Sequence, residues 1–283
     1  MSFNNILCFG TLNPDLIYFV DKLPNRGDDI RSSSSKIRAG GTAINCSELI
    51  ALWNKPVHVR GNSIGKDPMG IFLVNHLKQN NIQYDDVIIN DTSTPTCSIF
   101  VDSSGERTIV SSGYETLKWS SLENLNNFDS LILDRYSIQF IKDDLKYLKN
   151  ETNLFICQAG YQYEINYKLD FLIVSKDEIT VKQANNLIET KTVKYILLTS
   201  SSLPARLISS EGIIEIVPPD FKTINSTGAG DATAAYIAAF GINDLIPTIK
   251  NACAAGAIVA GTNEKPTLEK IQEISSLVDV NLR

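Results

Sequence analysis

The chain has 283 residues, a formal net charge of −6 and 43% hydrophobic residues, which suits one large α/β domain with a substantial core. Net acidity without any basic run excludes a broad nucleic-acid surface, which needs clustered Lys and Arg to neutralise phosphates. The first residues, MSFNNILCFG, lack a basic segment followed by a long apolar core, and the longest apolar region, NACAAGAIVAGT, is too short to span a bilayer; a cytoplasmic protein without membrane contact is expected.

Taken in chain order, short apolar runs alternate with amphipathic stretches. NILCFG reads as a first strand, residues 11–39 as an extended polar excursion and residues 42–53 as a first helix. VHVRGN is a second strand, followed by a helix near 67–80. Residues 96–111, TCSIFVDSSGERTIVS, read as a hairpin turning at Ser-Ser-Gly-Glu. SLILD, NLFICQ, FLIVS and YILLTS are further strands, with helices near 138–149 and 177–189 between them. Three helices close the chain, near 230–241, 244–261 and 267–277. The strands are continuous apolar runs, as expected of parallel strands buried on both faces. The alternation predicts a doubly wound, mostly parallel sheet flanked by helices. The excursions at 11–39 and 96–111 do not belong to that series, and together they are expected to form a small β-sheet lid on a single domain spanning 1–283.

Cysteines and histidines carry no chemistry here. Cys8, Cys46, Cys97, Cys157 and Cys253 are scattered without a C-x-x-C pair and read as reduced thiols. His58 and His76 do not stand at metal-ligand spacing, so no zinc site is expected. GNSIGKD, residues 61–67, imitates a P-loop but is one residue short, and Asp67 stands where the magnesium-binding hydroxyl belongs.

The informative stretch is INSTGAGDATAAYIAAF, residues 224–240. Gly228 and Gly230 free the backbone to turn, and a helix of small residues begins there. Its first amides have no intrahelical acceptor and the macrodipole adds positive character, so Gly228, Ala229 and Gly230 form an expected anion hole. Asp231 falls in the first turn, placed to accept a proton from an attacking hydroxyl. Two other elements accompany it: Asp15 just past the first strand, and Gly40-Gly41 at the start of the first helix with Asn45 one turn inside.

This order and spacing resembles the ribokinase-like (PfkB) carbohydrate kinase family over most of the chain, NSTGAGD being the most specific element and AGGTAIN the second. The resemblance implies a ribokinase-like fold and an ATP-dependent sugar kinase that transfers the γ-phosphoryl group to a hydroxymethyl group with Mg2+. Asp231 then looks like the general base, residues 228–230 like the anion hole, and Asp15, Gly41 and Asn45 like substrate contacts. Thr199 and Asn251 look like nucleotide-binding residues, and Glu178 resembles the glutamate that organises magnesium through water. Relatives pair their lids, so a homodimer through the lid is an expectation as well.

The chain departs from the family pattern at four places. Ser175 stands where the magnesium motif has Asn, and TSSSLP replaces a glycine-containing nucleotide loop. Asn225 replaces an Asp where some members contact a monovalent cation, so dependence on such a cation stays open. Thr42 replaces the lysine of the phosphosugar branch, which favours an unphosphorylated acceptor; Arg38, Arg107 and Arg135 are the remaining candidates to hold a substrate phosphate. A nucleoside or phosphosugar kinase on the same scaffold is the first alternative, with Tyr18, Phe19 and Phe100 as candidate clamps for a base. A sugar-binding protein with impaired catalysis is the second.

Overall fold

The structure is a computed structural model and describes residues 3–148, 154–200, 203–219, 227–262 and 264–282. β1 (Ile6–Gly10) leads into β2 (Asn13–Phe19) and β3 (Ser34–Gly40), and α1 (Thr42–Leu52) starts directly behind the double glycine. β4 (Val57–Gly61), the short β5 (Ile64–Gly65) and α2 (Pro68–Gln79) follow. The P-loop imitation is explained here: Asp67 is the N-cap of α2 and accepts from Gly70 N at 2.8 Å, with Pro68 at the first helical position, where no amide is needed. Then come β6 (Ile89–Asn90), β7 (Thr96–Val101), β8 (Arg107–Ser112), β9 (Ser130–Asp134), α3 (Leu145–Leu148), β10 (Phe155–Ala159) and β11 (Leu169–Ser175). α4 (Val181–Glu189), β12 (Val193–Ser200), β13 (Leu203–Ser209), β14 (Gly212–Val217), α5 (Ala229–Phe240), α6 (Leu245–Gly261), α7 (Leu268–Ser275) and β15 (Asp279–Leu282) complete the order.

Nine strands form the main sheet in the order β15-β14-β13-β12-β11-β10-β9-β1-β4. Neighbours from β12 to β4 run parallel, while β13, β14 and β15 add an antiparallel edge. The continuous apolar runs are explained by two cores. Ile6 and Cys8 of β1 enter one cluster with α1 and α5, while Leu7 and Phe9 enter the other, and β10 and β11 alternate in the same way. α6 and α7 back the first cluster, and α4 covers the second.

The two excursions pair into a separate four-stranded sheet, ordered β3-β2-β7-β8. β2 runs parallel to β7, and the outer pairs are antiparallel. Register assigns its faces. Arg38, Asp15, Cys97 and Ser111 form one cross-strand row, and Ile37, Leu16, Ser98 and Val110 form the next row, on the opposite face.

Three local expectations are corrected. β13 to β15 were not read from the sequence. The helix near 138–149 shrinks to Leu145–Leu148, preceded by single turns that still bury Ile138 and Ile141 at helix-like spacing. The helix near 177–189 begins at Val181, because Thr180 and Gln183 form a capping box and leave 177–179 as a turn.

Candidate active site

The carboxyl ends of β1, β4, β9, β10, β11 and β12 share one edge of the main sheet, where an open parallel sheet receives ligands. α1 and α5 both begin at this edge, and the cluster forms between their first turns. Asn45, in the first turn of α1, donates its Nδ2 to Asp231 Oδ2 at 2.7 Å, and the Cys46 thiol donates to the Asp231 carbonyl at 3.4 Å. Burial pushes the Asp231 carboxyl up to about 6; the Asn45 bond opposes this, the Asp134 charge adds to it, and Arg38 and Arg135 hold it down. At neutral pH the group is ionised, yet more basic than an ordinary carboxylate.

The start of α5 has the expected local form. Gly228 caps α5 at φ 82°, a left-handed conformation that glycine adopts without strain. A Cβ at Gly230 would meet nothing within 4 Å, so packing does not require glycine there; an approaching ligand would. The alanines of α5 pack against α6, where a Cβ at Gly256 would stand 2.7 Å from Thr233 Oγ1.

A second polar chain is rooted in the small sheet, and the charge of its Arg38 acts on Asp231. Asp15 is buried and both its oxygens are engaged: Asn13 Nδ2 donates to Oδ1 at 2.9 Å, and Arg38 pairs with Oδ2 at 2.9 Å. Tyr114 donates to Asn13 Oδ1 at 2.8 Å. The double glycine is a packing necessity here. A Cβ on Gly40 would run into the Asp15 carboxylate, and one on Gly41, held at φ 89°, would run into the Thr11 carbonyl. Arg107, from β8, donates to the Thr227 hydroxyl just ahead of Gly228, so the small sheet touches the anion loop.

One functional candidate went unread. Asp134 ends β9 fully buried, accepts from Thr11 N (2.7 Å), Thr11 Oγ1 (2.8 Å) and Ser137 N (2.6 Å), and has its carboxyl pushed up by burial. An acid closing the apolar run SLILD was the available signal. Asp134 ties β1 to β9 beneath the cluster and adds its field to Asp231.

The nucleotide-side candidates fall out differently. Thr199 is at the same sheet edge, with its hydroxyl donated to Val174 O at 3.3 Å. Pro204 follows a shift in the β12–β13 register, where the missing amide costs no ladder bond. Asn251 is not brought to the cluster. It lies in α6 and donates to Tyr236 at 2.9 Å, and Tyr236 is five residues along α5 from Asp231, about 7.5 Å of helix. Asn225 and the rest of 220–226, as well as Ser201 and Ser202, lie outside the described residues.

Glu178 is in the turn ahead of α4. Its carboxylate pairs with Arg135 and accepts from Tyr161 N (3.2 Å) and Ser175 N (3.3 Å). Among the described residues no group of three or more His, Cys, Asp or Glu could hold a metal ion. The described donors form no protein cage for a metal, and Glu178 is an oxygen donor of the kind a hard cation such as magnesium takes.

Comparison with known proteins gives the following. The sequence profile described as pfkB family carbohydrate kinase matches residues 4–158. A ribokinase of Dictyostelium discoideum is 24% identical over 224 residues; the match takes in 79% of this chain and 64% of the length of that protein. Among solved structures, the ribokinase of Thermotoga maritima superposes with a TM-score of 0.77 at 18% identity, covering 97% of this chain and 100% of its own. The ribokinase of Arabidopsis thaliana, complexed with ribose and ATP, gives 0.76 at 18% identity over 97% and 99% of the two chains. A nucleoside kinase of Methanocaldococcus jannaschii gives 0.73 at 20% identity over 97% and 99%.

Proposed function

Because the chain belongs to the PfkB family of carbohydrate kinases, we propose that it transfers the γ-phosphoryl group of ATP to a hydroxymethyl group of a small unphosphorylated sugar. The observation that carries this reading is the desolvated Asp231 carboxylate, hydrogen-bonded by Asn45 and set in the first turn of a glycine-capped helix. Sugar hydroxyls meet Asp15, Gly41 and Asn45, under the four-stranded sheet acting as a lid that excludes water. Asp231 takes the proton of the attacking hydroxyl, and the amides of residues 228–230 stabilise charge on the transferring group. Thr199 lies on the nucleotide side. Glu178 would hold magnesium through water, and the ion would supply positive charge to the phosphates.

Two observations weigh against the relatives' other substrate classes. Arg38 and Arg107 already have internal partners, in Asp15 and Thr227, which disfavours a phosphate on the acceptor beside Asp15. Tyr18 and Phe100 stack on each other, with centroids 5.5 Å apart, on the face of the lid opposite Asp15, so these two do not clamp a nucleobase beside it; Phe19 lies on the Asp15 face, with Lys36 Nζ 5.5 Å from its ring. The test is ADP release with magnesium and ATP across a panel of sugars, sugar phosphates and nucleosides. With the accepted sugar, kcat/KM should fall below a pH of about 6, as Asp231 takes up a proton. A sugar that stabilises the protein thermally while no acceptor yields ADP would replace this reading by a binding protein.

A lid-mediated homodimer goes with the proposal. Ile37 and Val110 are 52% and 55% exposed on the face away from Asp15. Replacing both by aspartate should convert a dimer to a monomer in light scattering; an unchanged mass would place the interface elsewhere. Among the described residues no helix is long and apolar enough to cross a membrane. Cytoplasmic residence is proposed on the buried free thiols Cys8, Cys46 and Cys157, all pushed up by burial and hence poor nucleophiles.

A further inference from the structure

Arg135 follows Asp134 at the carboxyl end of β9, and its backbone N–H donates to Ala159 O at 3.1 Å. Its stem runs over the end of β10, where Gly160 (φ +81°) makes room: a Cβ there would stand 2.6 Å from Arg135 Cδ. The guanidinium then reaches Glu178 at the end of β11 and donates to the Tyr136 hydroxyl at 2.6 Å. A half-buried stem that runs where a glycine leaves room holds the guanidinium in place for an ion pair that by itself contributes little to stability. The head group is paired with Glu178 at the edge of the sheet where the parallel strands end, and its charge acts on Asp231.

We infer that Arg135 is a catalytic cation of this chain, contacting the transferring phosphoryl group from the Glu178 side of the site. The inference rests on the kinase reading. In the step it serves, the acceptor oxygen forms a bond to the γ-phosphorus and its proton passes to Asp231. The bond from the γ-phosphorus to the bridging oxygen breaks, and its electron pair leaves with ADP. Arg135 gains and loses no proton; it neutralises charge on the equatorial oxygens through its planar pair of donors. Two acids and a triphosphate crowd one site, and without a fixed cation their repulsion would oppose binding.

The experiment compares Arg135→Gln and Arg135→Lys with the parent. First, affinities for ADP and for a non-hydrolysable β,γ-imido ATP analogue are measured by calorimetry. The Gln variant should lose about tenfold or more for the analogue and much less for ADP, with the Lys variant between, because the contact is to the γ-phosphoryl alone. Second, the Asp231 carboxyl is titrated by carbon NMR in the unliganded protein, where Asn45, Asp134, Arg38, Arg135, Cys8 and Cys46 face it. Its midpoint should rise in the Gln variant and hold in the Lys variant. Third, kcat should fall about 100-fold in the Gln variant while the sugar KM stays within about threefold. Equal losses for both nucleotides, or none, together with an unmoved Asp231 midpoint, would reduce Arg135 to a structural partner of Glu178. Selective analogue binding without turnover on any acceptor sinks the kinase reading alone. If the parent binds neither nucleotide, both ideas fall.

Discussion

Asp231→Asn should reduce turnover at least ~100-fold while sugar affinity stays within a few-fold of the parent, because the amide keeps its hydrogen bond to Asn45 but accepts no proton. The variant should also be more stable than the parent at neutral pH. The folded-state pKa of Asp231, about 6, lies above that of an unfolded aspartate. The folded protein therefore binds the proton more tightly, and the carboxylate lowers stability as pH rises from about 4 through about 6. Asparagine carries no such penalty, so at pH 8 it should gain about 1–2 kcal/mol, after allowance for partial solvation. Below pH 4 the difference should vanish. Urea midpoints at the two pH values, beside single-turnover rates, check both halves. Near-normal turnover would sink the base assignment, and a destabilised variant would show that the carboxylate is held for structure.

The second large effect concerns Gly41. Its backbone at φ 89° and ψ 149° lies in a region open essentially to glycine alone, and a Cβ would meet the Thr11 carbonyl. Gly41→Ala should therefore lose about 3–5 kcal/mol, a large part of the stability of an ordinary domain. Relief of the clash must move Thr11, whose hydroxyl accepts from Thr42 N at 3.2 Å and donates to Asp134. The sugar KM should rise with it. Gly105→Ala is the control, since Gly105 also has positive φ, at +86°, but nothing within 4 Å of a Cβ. It should lose only about 1–2 kcal/mol of strain. Similar urea midpoints for the two variants would show that the contact with Thr11 is unimportant.

These two sites differ in how far the sequence exposes them. The start of α5 is local chemistry: two glycines, small residues and an acid within one turn suffice to read a helix start. The parallel core was legible because continuous apolar runs have few other uses. Pairings between distant segments were not. Asn45 and Asp231 are 186 residues apart, and the Tyr114–Asn13–Asp15–Arg38 chain joins three separate segments. The antiparallel edge was missed because Pro204 and Arg206 interrupt the first of its strands, and the bulge that tolerates a proline exists only in the paired sheet. The magnesium role of Glu178 comes from its resemblance to a family motif, and only the fold sets Arg135 against it.

The bond from Arg107 to Thr227 has a thermodynamic meaning. It joins a strand of the sheet that holds Asp15 to the residue ahead of the anion hole, so a rearrangement of either one is felt by the other. If sugar favours the arrangement in which this bond is made, it improves nucleotide binding by some factor. Nucleotide must then improve sugar binding by the same factor, since a coupling free energy has no direction. The two substrates of the proposed reaction would thus share one equilibrium.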